Sequence, residues 1–171
     1  MSCAKMDKIV VTGPECSGKT TLATALSRSI GGIYVPEFAR TYLSMLNRSY
    51  VLNDIRSMYE GQMMLEEAAS GLEERPMISD TSTLVLLIWS QLRFGQVDPV
   101  IEKSFLERSY DLHLLCAPEP TWEPDVLREN PTDRWSLFYL YHKQLIASGH
   151  AFRVLHGPPE ARLQKVLDVL L

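Results

Sequence analysis

The chain has 171 residues, 46% of them hydrophobic and 22% charged, a composition that excludes a disordered segment and fits one folded domain spanning residues 1–171. With 17 Lys+Arg against 21 Asp+Glu the net charge is −4, which argues against a nonspecific nucleic-acid binder and leaves room for a local phosphate pocket.

Short β-branched runs alternate with longer amphipathic segments. Lys8 to Thr12 is predicted as a buried strand, followed by a glycine-rich turn. Thr20 to Ile30 is predicted as a helix with Leu22, Ala25, Leu26 and Ile30 on one face, ended by Gly31-Gly32. Ile33 to Val35 is a second strand, closed by Pro36. Asp54 to Ala69 is predicted helical, with Ile55, Met58, Tyr59 and Met63 inward and Asn53 as N-cap. Met77 to Ser79 is a third strand ending at Asp80. Thr83 to Phe94 is a helix apolar nearly all round, so a buried one. A helix over Asp98 to Ser109, strands over Asp111 to Cys116 and Ala151 to Leu155, and a last helix with Leu163, Val166, Leu167 and Leu170 as its stripe complete the pattern.

Strands separated by helices predict a parallel sheet covered on both faces, an α/β fold. Ligands of such sheets lie beyond the carboxyl ends of the strands. Function is therefore sought after Thr12, at Glu37, at Asp80 and after Cys116.

Three cysteines, Cys3, Cys16 and Cys116, form no CxxC pair and make a disulfide framework or zinc site unexpected. No signal-like apolar stretch follows Met1 to Asp7, and the longest apolar run, Leu84 to Trp89, is too short to span a bilayer. The expected setting is soluble, reducing and cytoplasmic, with no membrane partner. Asn47-Arg48-Ser49 matches a glycosylation acceptor only by accident in that setting.

Gly13-Pro14-Glu15-Cys16-Ser17-Gly18-Lys19-Thr20 fits GxxxxGK[ST] at every fixed position, between a strand and a helix. Glycines let the loop curl so that successive N–H groups converge on phosphate oxygens, and the helix adds its positive end. Lys19 is expected to reach the β/γ-phosphates and Thr20 to ligate Mg²⁺; Glu15, Cys16, Ser17 and Thr21 complete the nucleotide loop. Asp80, at a strand end, is a candidate magnesium ligand or an N-cap of the following helix. Glu37 is suited to accept a proton from an attacking hydroxyl or to bind a diol, with Arg40 one turn later on the same side; a surface ion pair is the alternative. Residues 117–134, with four prolines, form either a solvated loop or a lid. Within it Arg128 could neutralise charge on a transferring phosphoryl group and Trp122 could stack on a base or pin the loop. The histidines show no metal spacing. GxGxxG, HExxH and GxSxG are absent, which excludes a Rossmann dehydrogenase, a zincin and an α/β-hydrolase.

The chain resembles the ribosylnicotinamide kinase domain of NadR-type proteins, an AAA-like P-loop ATPase/kinase module. The resemblance rests on GPECSGKTTL at Gly13 to Leu22, on Tyr34-Val35-Pro36-Glu37-Phe38-Ala39-Arg40, and on Asp80-Thr81 with Trp89 and Phe94-Gly95. It continues through Tyr110-Asp111-Leu112, Pro120-Thr121-Trp122, Asp125, Arg128 and Arg134. It implies a nucleoside-kinase-like three-layer fold with a five-stranded parallel sheet in order 2-3-1-4-5. It implies ATP and Mg²⁺ as cofactors and phosphorylation of the 5′-hydroxyl of nicotinamide riboside. Lys19, Glu37, Asp80 and Arg128 would be catalytic; Glu37, Arg40, Trp122 and Asp125 would bind a nucleoside-like substrate; Thr20 and Asp80 would hold the metal. Two departures stand out. Ser82 replaces the family's frequent second acid, and 171 residues leave no room for the adenylyltransferase domain that usually precedes the module. The expected chain therefore phosphorylates a riboside without completing a dinucleotide. A nucleotide-dependent regulatory ATPase, or a kinase for another nucleoside or small metabolite, is the alternative.

Overall fold

The computed structural model describes residues 6–70, 72, 75–108, 110–124 and 132–170. Five strands, β1 (Lys8–Thr12), β2 (Ile33–Val35), β3 (Met77–Asp80), β4 (Leu112–Cys116) and β5 (Phe152–Leu155), form one parallel sheet in the order β2-β3-β1-β4-β5. The fold is the predicted α/β P-loop architecture, strand order included. Among the described residues seven helices surround the sheet: α1 (Lys19–Ile30), α2 (Phe38–Met45), α3 (Leu52–Ser70), α4 (Thr83–Phe94), α5 (Pro99–Glu107), α6 (Arg134–Ser148) and α7 (Pro159–Leu170).

The two faces of the sheet follow from the two-residue period of a strand. Ile9, Val11, Ile78 and Leu114 point to the layer of α1 and α7, where Leu22, Leu26 and Val166 meet them. Leu115 points the other way, into a core built by α3, α4, α5 and α6 around Ile55, Met58, Leu84, Ile101, Phe105 and Tyr141. The central strand β1 is sealed: Ile9, Val10 and Val11 are each 0% exposed. Register aligns the strand ends, with Val11 opposite Asp80, Thr12 opposite Leu115 and Val35 opposite Ser79. The loops that follow β1, β2, β3 and β4 therefore converge on one edge.

Several boundaries differ from the sequence expectation, each for a physical reason. Helix α3 begins at Leu52, so Asn53 lies inside its first turn and exposed. The N-terminal contact comes instead from Asp54, whose carboxylate accepts from Val51 N at 2.7 Å, the reach-back half of a capping box. Arg48 locks that carboxylate at 2.6 Å and holds it well below the usual range. Tyr59 and Met63 are only half-buried, because the inward face of α3 carries Asp54, Gln62 and Glu66 beside Ile55 and Met58. Asp98 lies outside α5 as its N-cap, accepting from Val100 N at 2.8 Å, with Pro99 in the first turn. Asp111 lies before β4, where Oδ2 accepts from Asp7 N and Lys8 N and anchors the start of β1. Helix α2 packs so closely on α3 that a Cβ on Gly61 would run into the Phe38 ring. Arg134, placed in the lid by the sequence, opens α6.

Candidate active site

The phosphate loop leaves β1 through Gly13, whose φ of 141° and proximity to β4 both require glycine. A Cβ there would stand 2.7 Å from the Cys116 carbonyl. Cys16 (φ 51°) and Gly18 (φ 81°) supply the remaining left-handed turns, and Gly18 is the N-cap of α1. Curled this way, the loop presents the first turn of α1 to its cavity. Lys19 Nζ donates to Pro14 O at 2.8 Å, folded back over the loop it belongs to. Ser17 Oγ is buried with no hydrogen-bond partner.

Two arginines hold this loop from behind. Arg162 of α7, 2% exposed, donates to Ser17 O at 2.6 Å, Ala117 O at 3.0 Å and Gly157 O at 2.7 Å. Arg134 donates to Cys16 O at 3.1 Å and Pro120 O at 2.9 Å, while its guanidinium lies 5.8 Å from the Trp122 ring centroid. Cys16 Sγ donates to Thr121 O at 3.3 Å. The described root of the 117–134 segment is thus fastened to the phosphate loop, and Trp122 packs on Arg134. Sequence reasoning missed Arg162 altogether and placed Arg134 as the last residue of the 117–134 segment, with no contact to the phosphate loop.

Asp80 ends β3 beside the loop and is 1% exposed. Tyr34 OH donates to its Oδ2 at 3.1 Å; Oδ1 has no partner. Burial, then the Asp80 charge, pushes the Tyr34 phenol up to about 12, so it stays a donor. Asp80 is not the helix cap that the sequence allowed, since α4 starts three residues later with Ser82 at the N-cap. Between them Thr81 is held at φ 101°, a strained conformation for a β-branched residue. Ser82 Oγ donates to Thr12 Oγ1 at 3.3 Å and so ties the turn to the end of β1.

Glu37 sits at the N-cap of α2, just past β2, half-buried. Burial raises its carboxyl above the ordinary range; Lys19 opposes this, Asp80 adds to it, Arg40 opposes and Glu15 adds. Glu37, Arg40 and the predicted loop residues Gly13, Glu15, Cys16, Ser17, Gly18, Lys19, Thr20 and Thr21 line one cavity of about 270 Å³. Asp125 and Arg128 lie outside the described residues.

Two further cavities extend the cleft in opposite directions. One of about 480 Å³ shares Glu15, Leu43, Trp89 and Tyr141 with the first and adds Tyr50, Arg93 and Phe94. The other, about 270 Å³, shares Gly18, Pro120 and Pro159 and adds Leu22, Gly157 and Pro158. Aromatic side chains line one end, a phosphate loop the middle, and proline and glycine the other end.

Fold and loop together define a P-loop nucleotide-binding α/β protein. The model of the AAA domain family matches residues 8–162, and the chain belongs to that family. No curated protein matches the sequence. Among solved structures, NadR protein in complex with NR superposes with a TM-score of 0.83 at 22% identity, covering 96% of this chain and 50% of that one. NadR protein in complex with NAD and AMP-PNP gives 0.79 at 22% identity, covering 96% and 48%. Deoxyadenosine kinase from M. mycoides, with its products dCMP and dCDP, gives 0.64 at 16% identity, covering 95% and 98%. The chain spans about half the length of the NadR chains it matches. No helix of the described residues is long and apolar enough to cross a membrane.

Proposed function

We propose that the protein is an ATP- and Mg²⁺-dependent small-molecule kinase that phosphorylates the 5′-hydroxyl of a nucleoside-like acceptor, nicotinamide riboside first among them. The observation that carries this is the three-part cleft, with a carboxylate beside the phosphate loop at its centre. A nucleotide switch needs one pocket for a base and one for phosphates. A second, larger pocket that adjoins the central one through Glu15, Leu43, Trp89 and Tyr141 has no use without a second substrate. Its aromatic walls (Tyr50, Trp89, Phe94) suit a planar ring. The NadR complexes with NR and with an ATP analogue support the same choice of partners.

The triphosphate would lie on the loop amides, with Lys19 exchanging Pro14 O for phosphate oxygens. The donor base would rest in the pocket between Leu22, Pro120 and Pro158. Glu37 accepts the hydroxyl proton as the acceptor oxygen attacks the γ-phosphorus and the bond to the β-phosphate bridging oxygen breaks. Its raised carboxyl makes it a better base than an ordinary glutamate once ionised. Arg40, and Arg128 from the lid, would balance the phosphoryl charge. The donor set fits a hard divalent cation: Asp80 Oδ1 is buried without a hydrogen-bond partner, and Thr20 is exposed on the first turn of α1. When bound there, magnesium supplies charge neutralisation on the phosphates.

The test is ADP release with ATP and Mg²⁺, with and without nicotinamide riboside and a panel of nucleosides. Stimulation by a nucleoside supports the kinase. Turnover unaffected by every acceptor replaces it with a nucleotide-dependent regulatory ATPase.

A further inference from the structure

Beneath the cleft, α3 turns a polar stripe into the core, and the proposed catalysis has not used it. Glu66 is 0% exposed and accepts from Ser79 Oγ at 2.7 Å, Tyr110 OH at 2.8 Å and Arg108 Nη2 at 2.7 Å. These three partners come from β3 and from the segment between α5 and β4. One turn earlier on α3, Gln62 is 3% exposed. Its Oε1 accepts from Phe38 N at 2.8 Å and its Nε2 donates to Ser79 Oγ at 3.3 Å. The two partners settle which end of the amide is oxygen, since an N–H needs an acceptor.

The partners matter by their positions in the chain. Phe38 N is the first amide of α2, directly after Glu37. Ser79 directly precedes Asp80, and its Oγ also lies 3.0 Å from Thr81 O, at the strained residue beyond. Ser79 has a single hydroxyl proton, and the carboxylate at 2.7 Å is the stronger and closer acceptor. It therefore donates to Glu66 while accepting from Gln62. One rigid helical turn thus grips the backbone beside Glu37, which lines the central cavity, and beside Asp80, buried at the end of β3. Neither Gln62 nor Glu66 lines the cavities.

We propose that Gln62 and Glu66 are positioning residues of the transfer site, holding Glu37 through the start of α2 and Asp80 through the end of β3 at a fixed separation. The Glu37 half rests on the kinase function proposed above; the Asp80 half rests only on the cation site. The spacing matters because phosphoryl transfer depends on alignment, and small misplacements lower rates steeply. A network serving stability alone would lower the melting temperature and leave substrate chemistry untouched, which makes the two roles separable.

Two variants carry the test, each measured for ATP affinity with and without Mg²⁺ and for acceptor-dependent turnover. Ser79→Ala removes the shared hydroxyl at little change of volume. It is expected to leave metal-free ATP affinity unchanged and to cut the affinity gain from Mg²⁺ by about tenfold. Gln62→Met keeps the volume and removes the acceptor for Phe38 N. It is expected to lower kcat about tenfold with the KM for ATP unchanged, and to cost nothing further in a Glu37→Gln background. Should Gln62→Met not fold, Gln62→Asn, which draws the amide back by one methylene, takes its place. Lower melting temperatures with an unchanged magnesium gain and unchanged kcat overturn the proposal. So does a Gln62 loss that multiplies with that of Glu37→Gln. If the wild type transfers phosphate to no nucleoside, the kinase function fails by itself, and the magnesium gain of Ser79→Ala alone decides between positioning and stability.

Discussion

Replacing Arg162 with methionine should loosen the phosphate loop from a distance of 145 residues along the chain. Methionine keeps most of the stem and discards the guanidinium. Three backbone carbonyls, of Ser17, Ala117 and Gly157, then lose a charged donor in a site that is 2% exposed. Glu119 loses little, since its contact with Arg162 is 3.3 Å and it keeps Gly157 N at 2.6 Å. Hydrogen bonds to a charged group contribute about 1.5–3 kcal/mol each, but they share one side chain and do not add. A buried acceptor that loses its donor costs about 1–3 kcal/mol, and three neutral carbonyls losing one shared guanidinium place this variant at about 3–5 kcal/mol. For a chain of this length each kcal/mol moves the melting temperature by about 2–4 °C, so the expected fall is about 6–20 °C. The fold should survive, because typical stabilities reach ~5–15 kcal/mol. Ser17 O is the first carbonyl released, so ATP affinity should fall by at least about tenfold. Calorimetric melting and an ATP titration measure both. Arg162→Lys should recover only part, because one ammonium cannot span three carbonyls. A methionine variant that melts within ~2 °C of wild type and binds ATP equally would refute the account of Arg162 as the clamp of this loop.

Lys19→Ala should abolish tight ATP binding in a titration while the melting curve hardly moves, since its ammonium donates to a carbonyl of its own loop rather than to the core. Asp80→Asn keeps the shape of the side chain and removes the charge; ATP affinity without metal should persist and the gain from Mg²⁺ should disappear, whereas an unchanged gain would remove Asp80 from the cation site. Glu37→Gln should bind ATP normally and lose riboside-stimulated ADP release by up to ~10²–10⁴-fold. Because burial raises the Glu37 carboxyl, the acid limb of wild-type turnover should lie above the ordinary glutamate value of about 4.3. The same shift governs stability. A group whose folded pKa exceeds its unfolded value contributes stability below the unfolded pKa and loses it as pH rises through the folded one. Glu37→Gln should therefore melt above wild type at neutral pH, with the gap closing as pH falls toward 4; a gap of the same size at both ends would contradict the burial argument.

The parts of the fold legible in the sequence are those with local causes. GxxxxGKT declares its own conformation, because glycine and a following helix are needed within eight residues of each other. The alternation of β-branched runs with amphipathic stretches gave all five strands and most helices to within a residue or two. The strand order needed the family resemblance, since pairing of β1 with β3 and β4 is decided by contacts some seventy and a hundred residues apart. What periodicity cannot show is a polar residue that faces inward by appointment. Asp54, Gln62 and Glu66 read as the wet side of α3 and are buried, each accepting from a donor outside the helix: Arg48, Phe38 N and Arg108. Arg162 reads as a surface residue of the last helix for the same reason. Asparagine favours a cap, which points to Asn53, while Asp54 one residue on makes the bond.

Buried side-chain polar atoms left without partners fall, with one exception, at one edge of the sheet. Among the described residues they are Ser17 Oγ, Asp80 Oδ1, Thr81 Oγ1, Thr83 Oγ1 and His113 Nδ1. Four of the five lie in the phosphate loop or between the last residue of β3 and the first of α4. His113 is the exception; burial and the neighbouring His150 push its imidazole down to about 4, so it stays neutral, and one nitrogen of a neutral ring need only accept. Each unmet group costs about 1–3 kcal/mol, and Thr81 adds strain at the same turn. A few residues away the chain satisfies far harder cases: a buried glutamate with three donors, a buried arginine with three carbonyls. The contrast is physical evidence about use. A fold able to match Glu66 and Arg162 from distant elements leaves the carboxyl edge of its sheet unmatched where anionic oxygens and a cation would complete it.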